Sequence, residues 1–169
     1  MYRIVDKKVL NPTVIQLWIE APLVANKAKP GQFIIVRADE KGERVPLTIA
    51  DYDAAEGSVT MVTQALGVST RKIVAKGAGD HFADVAGPLG RPSDFVAEPI
   101  EELRKRRFVF VAGGVGTAPV YPQVKWLKEH GVEVDVIIGI IKLKEVHPYW
   151  GAKKIRELFA RAHPEFETP

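Results

Sequence analysis

The chain has 169 residues, 46% of them hydrophobic and 27% charged, with no Cys and with 24 Lys and Arg against 21 Asp and Glu for a net charge of +3. Without cysteine it cannot form disulfides, thiolate zinc sites, a cysteine nucleophile or a thiolate-ligated iron–sulfur cluster, so any redox chemistry must come from a cofactor held by other groups. The small positive balance gives no argument for nucleic acid.

The first ninety residues read as short apolar runs, Arg3–Leu10, Thr13–Ala21, Gln32–Ala38, Pro46–Ala50 and Ser58–Gln64. Asn11-Pro12, Lys29-Pro30-Gly31, Lys41-Gly42 and Glu56-Gly57 separate them with turn-forming residues. This spacing predicts a small antiparallel sheet closed into a barrel or sandwich. A lone short helix is expected over Arg71–Lys76, capped by a hydroxyl from Ser69-Thr70. Gly87-Pro88-Leu89-Gly90-Arg91-Pro92 is the expected joint between two domains, because its prolines fix φ and its glycines permit close approach. Beyond the joint, Arg107–Ala112 is expected as a strand buried on both faces. A helix follows, with Val120, Tyr121, Val124 and Leu127 on one side and Gly131 past its end, then a second strand over Val132–Gly139. Strand, glycine loop, helix and strand make a right-handed βαβ unit with parallel strands. A last helix is expected from Gly151, with Ile155, Leu158, Phe159 and Ala162 at helical spacing before Pro164. No signal peptide precedes the first strand and no stretch approaches about 18 apolar residues, so no membrane insertion is expected and the cytoplasm is the default location.

Three segments could carry chemistry. Ala112-Gly113-Gly114-Val115-Gly116-Thr117-Ala118-Pro119 follows a strand and opens a helix, where glycines admit a diphosphate to helical N–H groups and Pro119 loses no needed donor. The same loop also fits a tight turn without a ligand, and it departs from G-x-G-x-x-G. An acidic ribose ligand about twenty residues on could be Glu133 or Asp135. Glu43-Arg44-Val45-Pro46-Leu47-Thr48 sets an Arg suited to phosphate and a hydroxyl around a rigid apolar segment, or is a surface Arg at a strand start. Gln64 through Thr70 is a phosphate cradle or an ordinary N-cap.

In this order, RVPLT, QALGVST, GPLGRP and AGGVGTAPVYP resemble the ferredoxin–NADP reductase superfamily over about residues 1–139. Within it the likeness is to the small flavin subunits of NADH-dependent reduced ferredoxin:NADP oxidoreductases and to the electron-transfer subunits of dihydroorotate dehydrogenases. The resemblance implies an FAD-binding Greek-key β-barrel over residues 1–98, followed by a partial α/β parallel-sheet NAD(P)-binding domain over 99–169. It implies that Arg44 contacts the FAD diphosphate, that Pro46 and Leu47 lie against the isoalloxazine, and that Thr48 stands at its reactive edge as the candidate catalytic residue. Val62, Gln64, Gly67, Ser69 and Thr70 match the segment that holds the flavin and its diphosphate. Gly113, Gly114, Gly116, Thr117, Ala118 and Pro119 match the nicotinamide-nucleotide loop. The implied chemistry is hydride exchange between NADH or NADPH and FAD, then electron transfer to a larger iron–sulfur flavoprotein subunit or a ferredoxin-like carrier.

The chain departs from the family after Gly139, where IIKLKEVHPYWGAKK replaces an Ala-Arg pair and further strands, leaving Lys142 or Lys144 as the substitute cations. Two parallel strands cannot build both walls of a nucleotide crevice. The expected alternative is therefore a truncated, non-catalytic FAD-holding or assembly module completed by a partner chain, and the further one is a colourless interaction protein. Arg104-Lys105-Arg106-Arg107 reads as a solvated helix end rather than a nucleic-acid patch. His81, His130, His147 and His163 lack ligand spacing, so no metal site is expected; His130 suits a helix C-terminus. Tyr149 and Trp150 are expected to pack the tail or face a partner.

Overall fold

Alternating apolar residues build the first half of the molecule. The computed structural model describes residues 1–138. The strands are β1 (Tyr2–Asn11), β2 (Val14–Glu20), β3 (Phe33–Arg37), β4 (Arg44–Asp53), β5 (Ser58–Gln64), β6 (His81–Phe82) and β7 (Asp84–Leu89). They pair antiparallel in the order β6-β1-β2-β5-β4-β3-β7. Only Ala83 separates β6 from β7, and its N–H donates to the Arg37 carbonyl at 3.0 Å. One continuous segment thus bonds β1 on one side and β3 on the other, and the sheet closes on itself as a barrel. Every second residue points inward, so Ile15, Leu17 and Ile19 of β2 meet Ile4, Ile34, Val36, Ile49, Val59, Met61 and Phe82 in one buried cluster.

Five strands were expected here and seven form. The closing pair escapes sequence reading because His81–Phe82 is too short to show alternation and Gly87-Pro88 interrupts the next run. The expected joint is corrected accordingly: Gly87, Pro88 and Leu89 belong to β7, so the chain leaves the barrel only after Leu89. Gly90 then adopts φ +77°, and a Cβ there would stand 2.9 Å from the Phe33 ring. Gly90→Ala is expected to lower stability by about 1–3 kcal/mol, read as a lower urea midpoint at unchanged slope.

Two helical pieces border the barrel rather than the lone one expected: α1 (Pro22–Ala25) and α2 (Val68–Ala75). The second begins three residues before the expected Arg71. Its hydroxyl cap acts from inside the helix, Thr70 Oγ1 accepting the N–H groups of Leu66 at 3.0 Å and Gly67 at 2.9 Å. Ile73 plugs α2 into the barrel core. At the other end the Lys7 ammonium donates to the Val74 and Lys76 carbonyls, both at 2.7 Å, closing orphan acceptors of the last turn.

A second cluster forms past the barrel. After a 3₁₀ turn (Asp94–Ala97) come α3 (Ile100–Leu103), β8 (Arg107–Ala112), a 3₁₀ turn (Gly114–Gly116), α4 (Thr117–Glu129) and β9 (Glu133–Ile138). The strands β8 and β9 run parallel, in register from Arg107 with Glu133 to Ala112 with Ile138. Phe95, Leu103, Leu127 and Val132 are its buried centre, with Phe108, Phe110 and Trp126 packed around them. The βαβ expectation holds, with two corrections. β8 is not buried on both faces: α4 covers the side bearing Phe108 and Phe110, while Val109 and Val111 stay 38% and 43% exposed. In α4 the buried positions are Pro122 and Leu127, whereas Tyr121 turns outward.

The basic run is engaged locally, as its reading as a helix end implies. Arg104 Nε donates to the His130 carbonyl, Lys105 pairs with Glu102, Arg106 with Glu98 and Arg107 with Asp135. His130 caps the C-terminus of α4 with its ring stacked on Trp126, the centroids 3.9 Å apart. The candidate ribose ligands are corrected too. Glu133 opens β9, and Asp135 is tied 2.6 Å from Arg107, both away from the carboxyl ends of the strands. Among the described residues no helix is long and apolar enough to cross a membrane, and no cluster of three potential metal ligands occurs. The expected last helix, Lys142, Lys144, His147, Tyr149, Trp150 and His163 lie outside the described residues.

Candidate functional site

Sheet geometry sorts the candidate residues into two adjoining groups. Along β4, Val45 and Leu47 turn inward against the barrel core. Arg44, Pro46 and Thr48 therefore share the outer face, and the side chain of Leu47 points away from them. From Arg44 to Thr48, β4 bonds only to β3; it pairs with β5 from Ile49 to Asp53, across a register shift at Ile49. The start of β4 thus diverges from the end of β5, and Val62, Gln64 and the N-terminus of α2 lie along the opening. Ser69 Oγ donates to the Glu43 carboxylate, docking the first turn of α2 beside the start of β4. Arg44 forms an exposed ion pair with Asp84 at 3.3 Å. Arg44, Pro46, Thr48, Gly67, Ser69 and Thr70 make up this first group.

The second group lines a cavity of about 750 Å³ between the outer face of the barrel and the start of α4. Val62 and Gln64 contribute from β5, and Gly114, Thr117 and Ala118 from the glycine loop and first helical turn. Gly113 precedes that loop, and Gly116 and Pro119 fall within it and the first turn of α4. The Pro119 carbonyl accepts Gln123 Nε2 at 3.0 Å, and Ser93 Oγ donates to Gln123 Oε1, bracing the helix start against the segment that leaves the barrel.

At three glycines in these groups, Gly67, Gly114 and Gly116, an added Cβ would meet no atom of the described residues within 4 Å. Gly114 has φ +56°, which itself favours glycine. Gly67 and Gly116 have φ of −121° and −63°, so neither strain nor crowding among the described residues explains them. Each stands at the amino end of a helix whose first N–H groups lack intrahelical acceptors. A bound dinucleotide fits these two openings, because its diphosphate oxygens take such amides and its bulk requires the missing side chains.

One ionic contact fixes the two halves around the cavity. The Lys125 ammonium of α4 lies 2.8 Å from Asp51 Oδ1 of β4. Burial works against the charged Lys125, but the hydrogen bond and charge of Asp51, helped by Glu129 and Tyr121, outweigh it and raise its pKa. The Lys125 side chain therefore stays an ammonium across the physiological range. Sequence reasoning missed Leu10, Asn11, Val14, Gln16, Trp18, Asp51 and Tyr121 in the cavity wall. Alternation along β2 signals two of them, since Gln16 and Trp18 occupy outward positions between inward Ile15, Leu17 and Ile19.

No family model matches the chain. It is 62% identical over 139 residues to an uncharacterized protein of the adh 3′ region in Clostridium beijerinckii, a match covering 82% of this chain and 47% of that protein. It is 42% identical over 136 residues to a homologue of the dihydroorotate dehydrogenase B (NAD(+)) electron transfer subunit from Thermotoga maritima, covering 80% of this chain and 46% of that one. A solved structure of an NADH-dependent reduced ferredoxin-NADP oxidoreductase, studied for flavin-based electron bifurcation, superposes with a TM-score of 0.74 at 39% identity, covering 82% of this chain and 48% of that one. The chain spans about half the length of the curated relatives it matches.

Proposed function

About four-fifths of the chain shares sequence and fold with electron-transfer subunits of the ferredoxin reductase-like superfamily, and from that premise we propose that it holds FAD for electron exchange with NADH or NADPH. When bound, FAD supplies hydride acceptance from the nicotinamide and release of single electrons to an iron–sulfur partner. The chain's own residues bind and orient. Arg44 and the first amides of α2 neutralise the diphosphate, Pro46 presses on the ring system, and Thr48 places its hydroxyl at the reactive edge. Backbone and side chains of Val62 and Gln64 border the flavin, while Gly113 through Pro119 receive the nicotinamide nucleotide. The observation that carries this reading is the pair Gly67 and Gly116, each at a helix start where an added Cβ would meet no atom of the described residues within 4 Å. The flavin half is proposed over residues 1–98 and the nucleotide half over 99–169, with Phe95 already packing into the second core. The cytoplasm is the proposed location and a larger iron–sulfur subunit or ferredoxin-like carrier the proposed partner.

Gly67→Ala and Gly116→Ala test the carrying observation. Each is expected to cost about 1 kcal/mol of stability or less, as a change of N-cap residue does. The first should weaken FAD binding severalfold and the second nucleotide binding, both read by equilibrium titration.

A second reading, an FAD-holding module that reacts only with a partner, is favoured by a parallel sheet that has two strands among the described residues, with Val109 and Val111 exposed. Anaerobic addition of NADH or NADPH to the flavin-loaded chain separates the two. Bleaching of the visible flavin band supports the first. A bound flavin that bleaches only after the iron–sulfur partner is added supports the second, and a chain that takes up no flavin overturns both.

A further inference from the structure

The cavity beside Val62 and Gln64 continues over β2, where the family resemblance assigns no residue. Val14, Gln16 and Trp18 form this wall, facing Thr117, Ala118 and Tyr121 of α4. Gln16 is paired with Val62 and Val14 with Gln64, so the Gln16 and Gln64 amides stand diagonally on one face, within reach of a single ligand. Among the described residues neither amide makes a hydrogen bond, and the Trp18 indole N–H and Tyr121 hydroxyl make none either. Two other polar groups of the wall are engaged. Asn11 Oδ1 accepts the Thr13 and Val14 amides, and Asp51, the one charged residue lining the cavity among the described residues, accepts Lys125. An apolar floor, two aromatic rings, two uncommitted amides and no free charge complement a planar ring that bears a carboxamide.

We propose that Gln16 and Trp18 form a ring subsite for the nicotinamide end of NAD(P)H, with Gln16 and Gln64 reading the carboxamide and the indole covering the ring. The assignment rests on the reading of the chain as a nucleotide-dependent flavoprotein module. Gln16 pairs with Val62 of β5, and Thr48 shares their outer face one residue before the Ile49–Met61 pair, where β4 parts from β5. A ring held over Val62 borders both the amides and the edge where Thr48 stands.

Calorimetric titration of the flavin-loaded and flavin-free chain tests this, with NAD⁺, NADP⁺ and nicotinamide mononucleotide as probes and AMP as the probe that lacks the ring. Gln16→Leu is expected to weaken the nicotinamide probes about tenfold, as loss of one or two hydrogen bonds does. AMP binding, FAD affinity and the thermal midpoint should stay unchanged. Trp18→Leu should weaken the same probes and again spare AMP. Unchanged nicotinamide affinity in Gln16→Leu, or equal weakening of AMP, overturns the proposal. So does loss of FAD affinity, which assigns the wall to the flavin, and so does a wild-type chain that binds none of the nicotinamide probes. If the chain takes up no FAD, the flavin reading fails separately, and titration of the flavin-free protein still decides the subsite.

Discussion

Replacing Phe82 by Ala is expected to cost about 3–5 kcal/mol, a large share of the about 5–15 kcal/mol that holds an ordinary domain folded. Phe82 is fully buried and heads the fully buried side chains by size. It also sits in the two-residue strand that closes the barrel, opposite Tyr2. Truncation leaves a cavity among Ile4, Ile34 and their neighbours, and it loosens the segment on which the pairing of β1 to β6 and of β3 to β7 depends. The barrel presents the first group and one wall of the cavity, so the loss should carry flavin uptake down with it. Urea denaturation followed by far-ultraviolet circular dichroism gives the stability difference. Phe82→Leu should recover most of it, because a volume-conserving apolar swap refills the space. A loss under about 1 kcal/mol in Phe82→Ala would show that closure of the barrel is not where its stability lies.

Opposite effects are expected from the two partners of one exposed ion pair. Arg44→Ala should weaken FAD binding about 10- to 100-fold, the scale on which a charge-assisted bond to phosphate is lost. Asp84→Asn should leave binding unchanged or tighten it, because Asp84 competes for the guanidinium from 3.3 Å. The pair itself contributes little to stability, since Arg44 is 60% exposed. Stability of both variants should therefore stay near that of the parent chain. If Arg44 serves only to hold Asp84 on β7, both substitutions will act alike. Fluorescence titration of FAD into each variant discriminates the two cases.

Much of this architecture is legible in the residues. The expected run Ser58–Gln64 is β5 itself, and the helix read from Val120 to Gly131 appears as α4, ended by Gly131 at φ +71°. Such segments are long, periodic and punctuated, so local pattern and final fold agree. What was not legible depends on pairing at a distance. The closing strand is only His81–Phe82, and its status as a strand comes from β1, some eighty residues away in sequence. The exposure of Val109 and Val111 follows from how many elements cover the sheet, which no local pattern encodes. In the candidate site, Pro46 and Leu47 were expected against the same ring. Adjacent residues of a strand face opposite sides, and the structure puts Leu47 in the barrel core while Pro46 stays outside. Gln16 and Trp18 were readable from alternation alone, yet nothing in β2 says that α4 lies across from them.

The central claim is that this chain carries FAD, and equilibrium loading tests it most directly. Purified protein incubated with excess FAD, stripped of free flavin by gel filtration and then denatured should release close to one FAD per chain. A folded chain, verified by circular dichroism, that elutes colourless and releases no flavin would contradict the account.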